Sequence, residues 1–250
     1  MNLFEIYRVK DWYYYLGFIL IGFFLTSSFY SRLLIFLLFG SFLLAYAFSF
    51  NDFWDEGKKA YFLFPLLLSI LLFISLNIMQ IVLASIFLFI VTVYSAKPLR
   101  LKSKPFFSSL CNGIGFSLLF LIGYCVINLD LNGIIFFFFF LCFNMVSQFI
   151  HEAVDIDKDR EKRILTTGVL LGKRKLKKLC YVFLWLSFFT CLYLFYIKIV
   201  NFLFLFTTIF FVIFFTNKLI KCKIDRNLRK NYKTFGIFAG FIYFFSIILI

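Results

Sequence analysis

Two short acidic clusters stand out in a chain that is otherwise apolar. Asp52 and Asp55 are three residues apart, and Glu152, Asp155 and Asp159 are spaced by three and four. Residues at these spacings share one face of a helix, so each cluster predicts a stripe of carboxylates. Carboxylate oxygens are the ligands that Mg²⁺ takes together with water and phosphate oxygens. The clusters therefore predict metal ions bound together with an anionic substrate.

Each acidic cluster follows directly on a long apolar run, so it should lie where a membrane helix reaches water. Carboxylates are costly near hydrocarbon unless a cation meets them there. The alternative is that these acids only pair with neighbouring Lys and Arg at a helix end. One cluster would leave the two interpretations balanced, whereas two clusters favour metal binding.

The composition is that of an integral membrane protein. Of the 250 residues, 63% are hydrophobic, 43 are Phe, and the mean hydropathy is +0.97. A soluble domain cannot bury that much apolar surface. We predict an all-α polytopic membrane protein, a bundle of nine transmembrane helices that forms a single domain over residues 1–250. The predicted spans are 12–29, 33–50, 61–76, 78–94, 106–127, 133–150, 180–197, 199–217 and 235–250.

The distribution of basic residues supports nine spans and orients them. With nine spans, 24 of the 26 Lys and Arg residues fall on one face, in the segments 1–11, 51–60, 95–105, 151–179 and 218–234. Positive charge marks the cytoplasmic face, so we predict that the N-terminus and both acidic motifs are cytoplasmic. The net charge of +14 is then mostly a signal of topology, and no nucleic-acid partner is expected.

A basic loop at residues 94–102 lies on the same predicted face. Its Arg100 and Lys102 could hold phosphate oxygens through charge-assisted hydrogen bonds. Arg160, directly after the second cluster, could reach the same group. The alternative for each of these side chains is ordinary cytoplasmic positive charge.

Three segments together resemble the UbiA-type membrane prenyltransferase superfamily. Its first motif, NDxxDxxxD, is matched by Asn51, Asp52 and Asp55. Its middle loop, YSxPPLRLK, is matched by Tyr94, Ser95, Pro98, Leu99, Arg100 and Lys102. Its second motif, [DE]xxDxxxD followed by GxxT, is matched by Glu152, Asp155, Asp159 and Thr166. The nine spans and the loop positions also fit the family, so the resemblance covers nearly the whole chain.

The resemblance implies a Mg²⁺-dependent enzyme in the bilayer that transfers a prenyl group from a polyprenyl diphosphate to an unidentified small or lipophilic acceptor. Catalytic roles are implied for Asp52, Asp55, Asp155 and Asp159. Metal binding is implied for Asp52, Asp55, Glu152, Asp155 and Asp159. Diphosphate binding is implied for Asn51, Tyr94, Arg100, Lys102 and Arg160.

Two positions depart from the family pattern. Lys59 stands where the first motif has its third Asp, and Arg163 stands where the second has Gly. Lys59 could contact phosphate directly. The departures keep open a non-catalytic lipid-binding relative, and a membrane terpene cyclase is a further alternative. A cation-coupled transporter is less favoured, because it should carry ionisable residues at mid-span and none of the nine predicted spans does.

A GxxxG pattern at Gly236 and Gly240 is the remaining feature of note. Small residues at this spacing allow helices to approach closely, so the pattern is consistent with close helix packing there, within the bundle rather than between two copies of the chain.

Overall fold

The computed structural model describes residues 2–26 and 30–249, and no strand occurs among them. Residues 27–29, the end of the first predicted span, and Ile250, the end of the last, lie outside the described residues. In the described part, nine helices have nine or more residues. They are α1 Leu16–Thr26, α2 Leu33–Glu56, α3 Leu63–Leu71, α4 Ile78–Ser95, α5 Phe107–Tyr124, α6 Leu131–Glu161, α7 Thr167–Tyr196, α8 Phe202–Lys221 and α9 Arg226–Ile248. Two single helical turns, Leu3–Ile6 and Val9–Trp12, precede α1.

Each predicted span coincides with one of these helices, which confirms the all-helical class. Within the described residues, six helices are long and apolar enough to cross a membrane, namely α2, α4, α5, α6, α7 and α8. A shorter apolar segment, Leu63–Ser75, contains α3 and a following 3₁₀ turn. Nine membrane crossings and a cytoplasmic N-terminus therefore stay predictions.

Polar residues between the apolar runs fix where the helices begin. Each accepts a hydrogen bond from the backbone N–H three residues further on, and so caps a helix start. These residues are Asn77, Asp130, Thr166, Asn201 and Asp225. The cap at Thr166 starts α7 well before the predicted span at residue 180, because the basic run 173–178 is helical although it is not apolar. Gly172, at φ +73°, interrupts this helix.

The chain divides into two compact units. The first contains residues 1–101 and 118–129 and holds α1 to α4 with the end of α5. Its α1 crosses the end of α5 at two glycines: a Cβ on Gly22 would collide with the carbonyl oxygen of Phe120, and one on Gly123 with that of Ile19. Beyond this crossing, Asn77 Nδ2 donates to the carbonyl oxygen of Cys125 at 2.6 Å, which fixes the start of α4 against the chain that follows α5.

The second unit contains residues 102–117 and 130–250, with the start of α5 and all of α6 to α9. Its core is aromatic, and hydrogen bonds connect some of the polar groups inside it. Tyr232 Oη on α9 donates to the carbonyl oxygen of Phe143 on α6 at 3.0 Å, and Tyr243 Oη lies 3.0 Å from Thr208 Oγ1 on α8. The first contact joins α9 to the middle of α6, the helix whose last turns carry the second acidic cluster, and the second joins α9 to α8.

The expectation of tight packing at the GxxxG pattern is wrong. A Cβ built on Gly236 or Gly240 meets nothing within 4 Å, so neither glycine lies at a close helix contact. Close backbone approaches occur instead at glycines without that spacing, such as Gly22 and Gly123. Their positions are set by the crossing of α1 and α5.

Candidate functional site

The first acidic cluster lies in the first unit, at the end of α2. Asp52 is buried, with its side chain 3% exposed, and both of its carboxylate oxygens accept hydrogen bonds from cations. Arg8 Nη1 lies 2.9 Å from Oδ1, and Lys58 Nζ lies 2.7 Å from Oδ2. Because a buried carboxylate is costly unless it is paired and hydrogen-bonded, these two partners offset the cost of burying the Asp52 side chain.

The end of α2 brings Lys58 onto Asp52. Gly57 follows the last helical residue with φ +65°, a left-handed conformation that ends helices and that glycine adopts without strain. The turn reverses the chain, so Lys58 also lies 2.9 Å from Glu56. Hydrogen bonds with Asp52 and Glu56 raise the pKa of Lys58. Burial lowers the pKa of Arg8, but its hydrogen bonds with Asp11 and Asp52 outweigh burial and leave the pKa raised.

The other residues of the first motif contact α4 and the loop after it. Arg100 Nη2 lies 3.0 Å from Asp55 Oδ1, with each side chain about one third exposed (34% and 33%). Ser95 Oγ donates to Asn51 Oδ1 at 2.9 Å. The structure thus brings Arg100 to Asp55 and the end of α4 to Asn51, both within the first unit.

The remaining predicted diphosphate ligands are spread over three elements. Tyr94 is half-buried near the end of α4, and Lys102 is half-buried in the 3₁₀ turn Leu101–Ser103. Arg160 is exposed in the last turn of α6. Lys59, which the sequence singled out, is exposed, whereas its neighbour Lys58 holds Asp52.

The second acidic cluster lies in the second unit, on the last turns of α6. Asp155 is 29% exposed, and its Oδ2 lies 3.2 Å from His151 Nδ1 and 3.8 Å from Arg229 Nη1 on α9. Asp159 Oδ2 accepts a hydrogen bond from Thr166 Oγ1 at 3.1 Å. Both carboxylates therefore face polar or basic groups at the end of a mostly apolar helix.

Glu152 differs from the other members of its cluster because it is buried, with 4% exposure. Its Oε1 accepts hydrogen bonds from Ser108 Oγ and Ser109 Oγ, both at 2.7 Å. Its Oε2 accepts one from the backbone N–H of Gly168 at 3.0 Å. Both oxygens of this predicted metal ligand are therefore engaged within the protein.

Several residues of the site are not recognisable from the sequence motifs. Arg8 and Arg229 reach the acidic residues from distant parts of the chain, so only the packed structure reveals them. Lys58 lies beside the first motif, and the glycine before it was a usable signal, since a left-handed cap turns the chain back. Two hydroxyl residues at the start of α5 complete the set, Ser108 and Ser109.

The donor atoms fit Mg²⁺ bound together with a diphosphate better than a metal held by protein alone. Within the described ranges, no three His, Cys, Asp or Glu side chains gather into a metal site. Mg²⁺ usually takes only one or two carboxylates, completing its shell with water and substrate phosphate oxygens. The pairs Asp52 with Asp55 and Asp155 with Asp159 match that need, and the adjacent Arg and Lys side chains match the phosphate.

Comparisons with known proteins give one family match. A sequence profile of the UbiA prenyltransferase family matches residues 56–247. A search of curated protein sequences finds no significant match.

The fold is similar to those of solved UbiA homologues. A digeranylgeranylglyceryl phosphate synthase superposes with a TM-score of 0.79 at 17% identity, covering 99% of this chain and 98% of that one. A UbiA homologue from Archaeoglobus fulgidus, solved with DMAPP and Mg²⁺, gives a TM-score of 0.76 at 18% identity, with both chains covered completely (100%). The same homologue solved with Cd²⁺ gives 0.77 at 20% identity and 99% coverage of each chain. At such low identities the similarity concerns the fold.

Proposed function

Because the chain belongs to the UbiA prenyltransferase family, we propose that it is a membrane enzyme that uses Mg²⁺ to transfer a prenyl group from a polyprenyl diphosphate to a small or lipophilic acceptor. The observation that carries this proposal is that carboxylates and cations stand side by side in both acidic motifs. Asp55 lies beside Arg100, and Asp155 beside Arg229. Such pairs supply ligands for the metal and positive charge for the diphosphate.

The residues would divide this work by their chemistry. Asp55, Asp155 and Asp159 would hold Mg²⁺, which when bound acts as a Lewis acid on the departing diphosphate. Asp52 would join them when the diphosphate takes over Arg8 and Lys58, since these two side chains are 35% and 32% exposed and can turn to a substrate, unlike the buried donors around Glu152. Arg100 suits phosphate binding because its planar guanidinium donates two parallel hydrogen bonds. Lys58 and Arg8 would add positive charge near Asp52 as negative charge builds on the leaving group.

In the proposed reaction, the bond between the allylic carbon and the diphosphate oxygen breaks, and its electron pair leaves with the diphosphate. A nucleophilic atom of the acceptor then forms a bond to the allylic carbon and loses a proton. Support for the donor comes from the UbiA homologue that binds DMAPP with Mg²⁺. The acceptor and the length of the prenyl chain are open in this proposal, and the assay must search for them.

The test is release of diphosphate by the purified protein in proteoliposomes, measured with Mg²⁺ and prenyl diphosphates of several lengths, each with a panel of acceptors. Asp155→Ala should abolish release. The matched control is Asp157→Ala on the same helix, because that side chain is 76% exposed and its nearest cation, Lys173 Nζ, is 3.9 Å away. Full activity of Asp155→Ala would contradict the proposed metal site.

One observation favours a second candidate, a non-catalytic relative that binds lipid. Arg8 and Lys58 together engage both oxygens of Asp52, so two side chains of the protein occupy positions that a catalytic metal ion would need. The same assay decides between the two candidates, since a non-catalytic relative would bind prenyl diphosphates but release no diphosphate with any acceptor.

A further inference from the structure

We infer that Glu152 is a positioning residue that fixes Asp159 through the turn before α7, and that it does not itself bind metal. This inference rests on the proposed function, because it assumes that Asp155 and Asp159 hold the metal. It separates Glu152 from the two aspartates, although all three share the spacing of one motif.

Both oxygens of the Glu152 carboxylate already accept hydrogen bonds within the protein. Two serine hydroxyls donate to Oε1 and the Gly168 amide donates to Oε2, all within 3.0 Å. Ser108 and Ser109 are themselves buried, at 3% and 1% exposure. A metal ion at Glu152 would displace these donors from the carboxylate. Because the serines are buried, water would not replace the lost hydrogen bonds, and leaving buried donors unsatisfied is unfavourable.

A series of contacts at the start of α7 connects Glu152 to Asp159. Gly168 packs so closely on α6 that a Cβ there would lie 2.7 Å from the carbonyl oxygen of Glu152. Two residues earlier, Thr166 caps α7 and donates to Asp159 Oδ2. Glu152 therefore anchors the first turn of α7, and that turn holds the Asp159 carboxylate in one orientation.

The anchor also includes the start of α5. Thr167 Oγ1, fully buried, accepts a hydrogen bond from the Phe106 backbone N–H at 2.8 Å and lies 3.0 Å from Ser109 Oγ. Three helices of the second unit thus converge on one buried carboxylate. A group in this position orients its neighbours in the way that outer-shell residues orient metal ligands.

By contrast, Asp155 and Asp159 keep the access that a metal ligand needs. Asp155 is 29% exposed, and its Oδ2 lies 3.2 Å from the imidazole Nδ1 of His151 and 3.8 Å from Arg229 Nη1. Asp159 is half-buried, and its Oδ2 accepts a hydrogen bond from Thr166 Oγ1, which leaves Oδ1 for a ligand.

The test measures how Mn²⁺ binds to the purified protein in detergent in the presence of inorganic pyrophosphate. Electron paramagnetic resonance monitors the binding. Glu152→Gln keeps an oxygen that accepts from the two serines, but it places an NH₂ group against the Gly168 N–H, so two donors face each other. We expect it to bind as many Mn²⁺ ions as wild type with about tenfold weaker affinity. Thr166→Val should weaken Mn²⁺ binding to a similar extent. The double variant, Glu152→Gln with Thr166→Val, should bind Mn²⁺ at least as tightly as the more impaired of the two single variants, because both substitutions act through Asp159.

Control variants separate the possible results. Asp155→Asn should bind fewer ions, and Asp157→Asn should match wild type. Loss of one bound ion in Glu152→Gln would make Glu152 a ligand and overturn the inference. Unchanged affinity with only a lower unfolding temperature would overturn it too, because Glu152 would then be merely structural.

A second variant covers the case in which Glu152→Gln fails to fold. Ser109→Ala removes one donor and leaves the carboxylate, so a positioning role predicts weaker Mn²⁺ binding, whereas a ligand role predicts equal or tighter binding. The failure of the proposed function looks different from all of these results: wild type would bind no Mn²⁺ with pyrophosphate, or Asp155→Asn would bind it like wild type.

Discussion

The Nζ atom of Lys58 lies 2.7 Å from Oδ2 of Asp52, whereas Lys59, the residue that interrupts the first motif, is exposed. The turn at Gly57 decides which of the two lysines meets the acid. The two neighbours share charge and side-chain length, so they form a matched pair for mutation.

We expect Lys58→Met to raise the KM for the prenyl diphosphate roughly tenfold, about the worth of one charge-assisted hydrogen bond. It should also lower the thermal unfolding temperature, because Asp52 would stay buried with one cation fewer. Lys59→Met should change neither quantity. Diphosphate-release kinetics and thermal unfolding in detergent measure both, and a larger effect of Lys59→Met would instead support the direct phosphate contact that the sequence left open for that residue.

Arg163 gives a second prediction, because it adopts φ +55° in the turn before α7. A residue with a Cβ pays about 1 to 2 kcal/mol in this left-handed region, whereas glycine adopts it freely. The family motif has Gly at this position, so Arg163→Gly should stabilise the protein by up to about 1 kcal/mol. Detergent denaturation of the purified protein measures the change.

The adjacent position supplies the control for Arg163. Lys162 has φ −81°, an ordinary value, so Lys162→Gly should lower stability through the entropy of the unfolded chain. Equal responses of the two variants would show that the turn stores no strain at Arg163.

Local features of the site follow from the sequence, whereas contacts between distant residues do not. The spacing of Asp155 and Asp159 already places them on one helix face, since that follows from the helical period. The pairing of Asp52 with Arg8, 44 residues away, depends on tertiary packing, which motif spacing does not encode. Glu152 fits the same spacing as the aspartates, and only its burial and its three donors distinguish it.

Glycines give a third prediction, on stability. Gly123→Ala should strongly destabilise the first unit, because the new Cβ would collide with the backbone of Ile19, which cannot move aside cheaply. Gly17→Ala on α1 is the control: nothing lies within 4 Å of a Cβ there, so the gain in helix propensity should stabilise by up to about 1 kcal/mol. The thermal unfolding temperature in detergent should therefore fall for Gly123→Ala and rise for Gly17→Ala. An unchanged unfolding temperature for Gly123→Ala would contradict the close crossing of α1 and α5.

The orientation of the chain gives the fourth prediction, which depends on Cys222. This cysteine is exposed between α8 and α9, in the basic segment 218–234 that the charge distribution assigns to the cytoplasm, while the other five cysteines are buried or half-buried. A membrane-impermeant maleimide should therefore label Cys222 in inside-out vesicles and leave it unlabelled in intact cells. In a Cys222→Ser background, Lys198→Cys should show the reverse, because residue 198 is exposed in the segment between α7 and α8 that is predicted to face outward. Labelling of Cys222 from outside intact cells would reverse the predicted topology and place the acidic motif that ends α6 on the opposite face, away from a cytoplasmic supply of prenyl diphosphate.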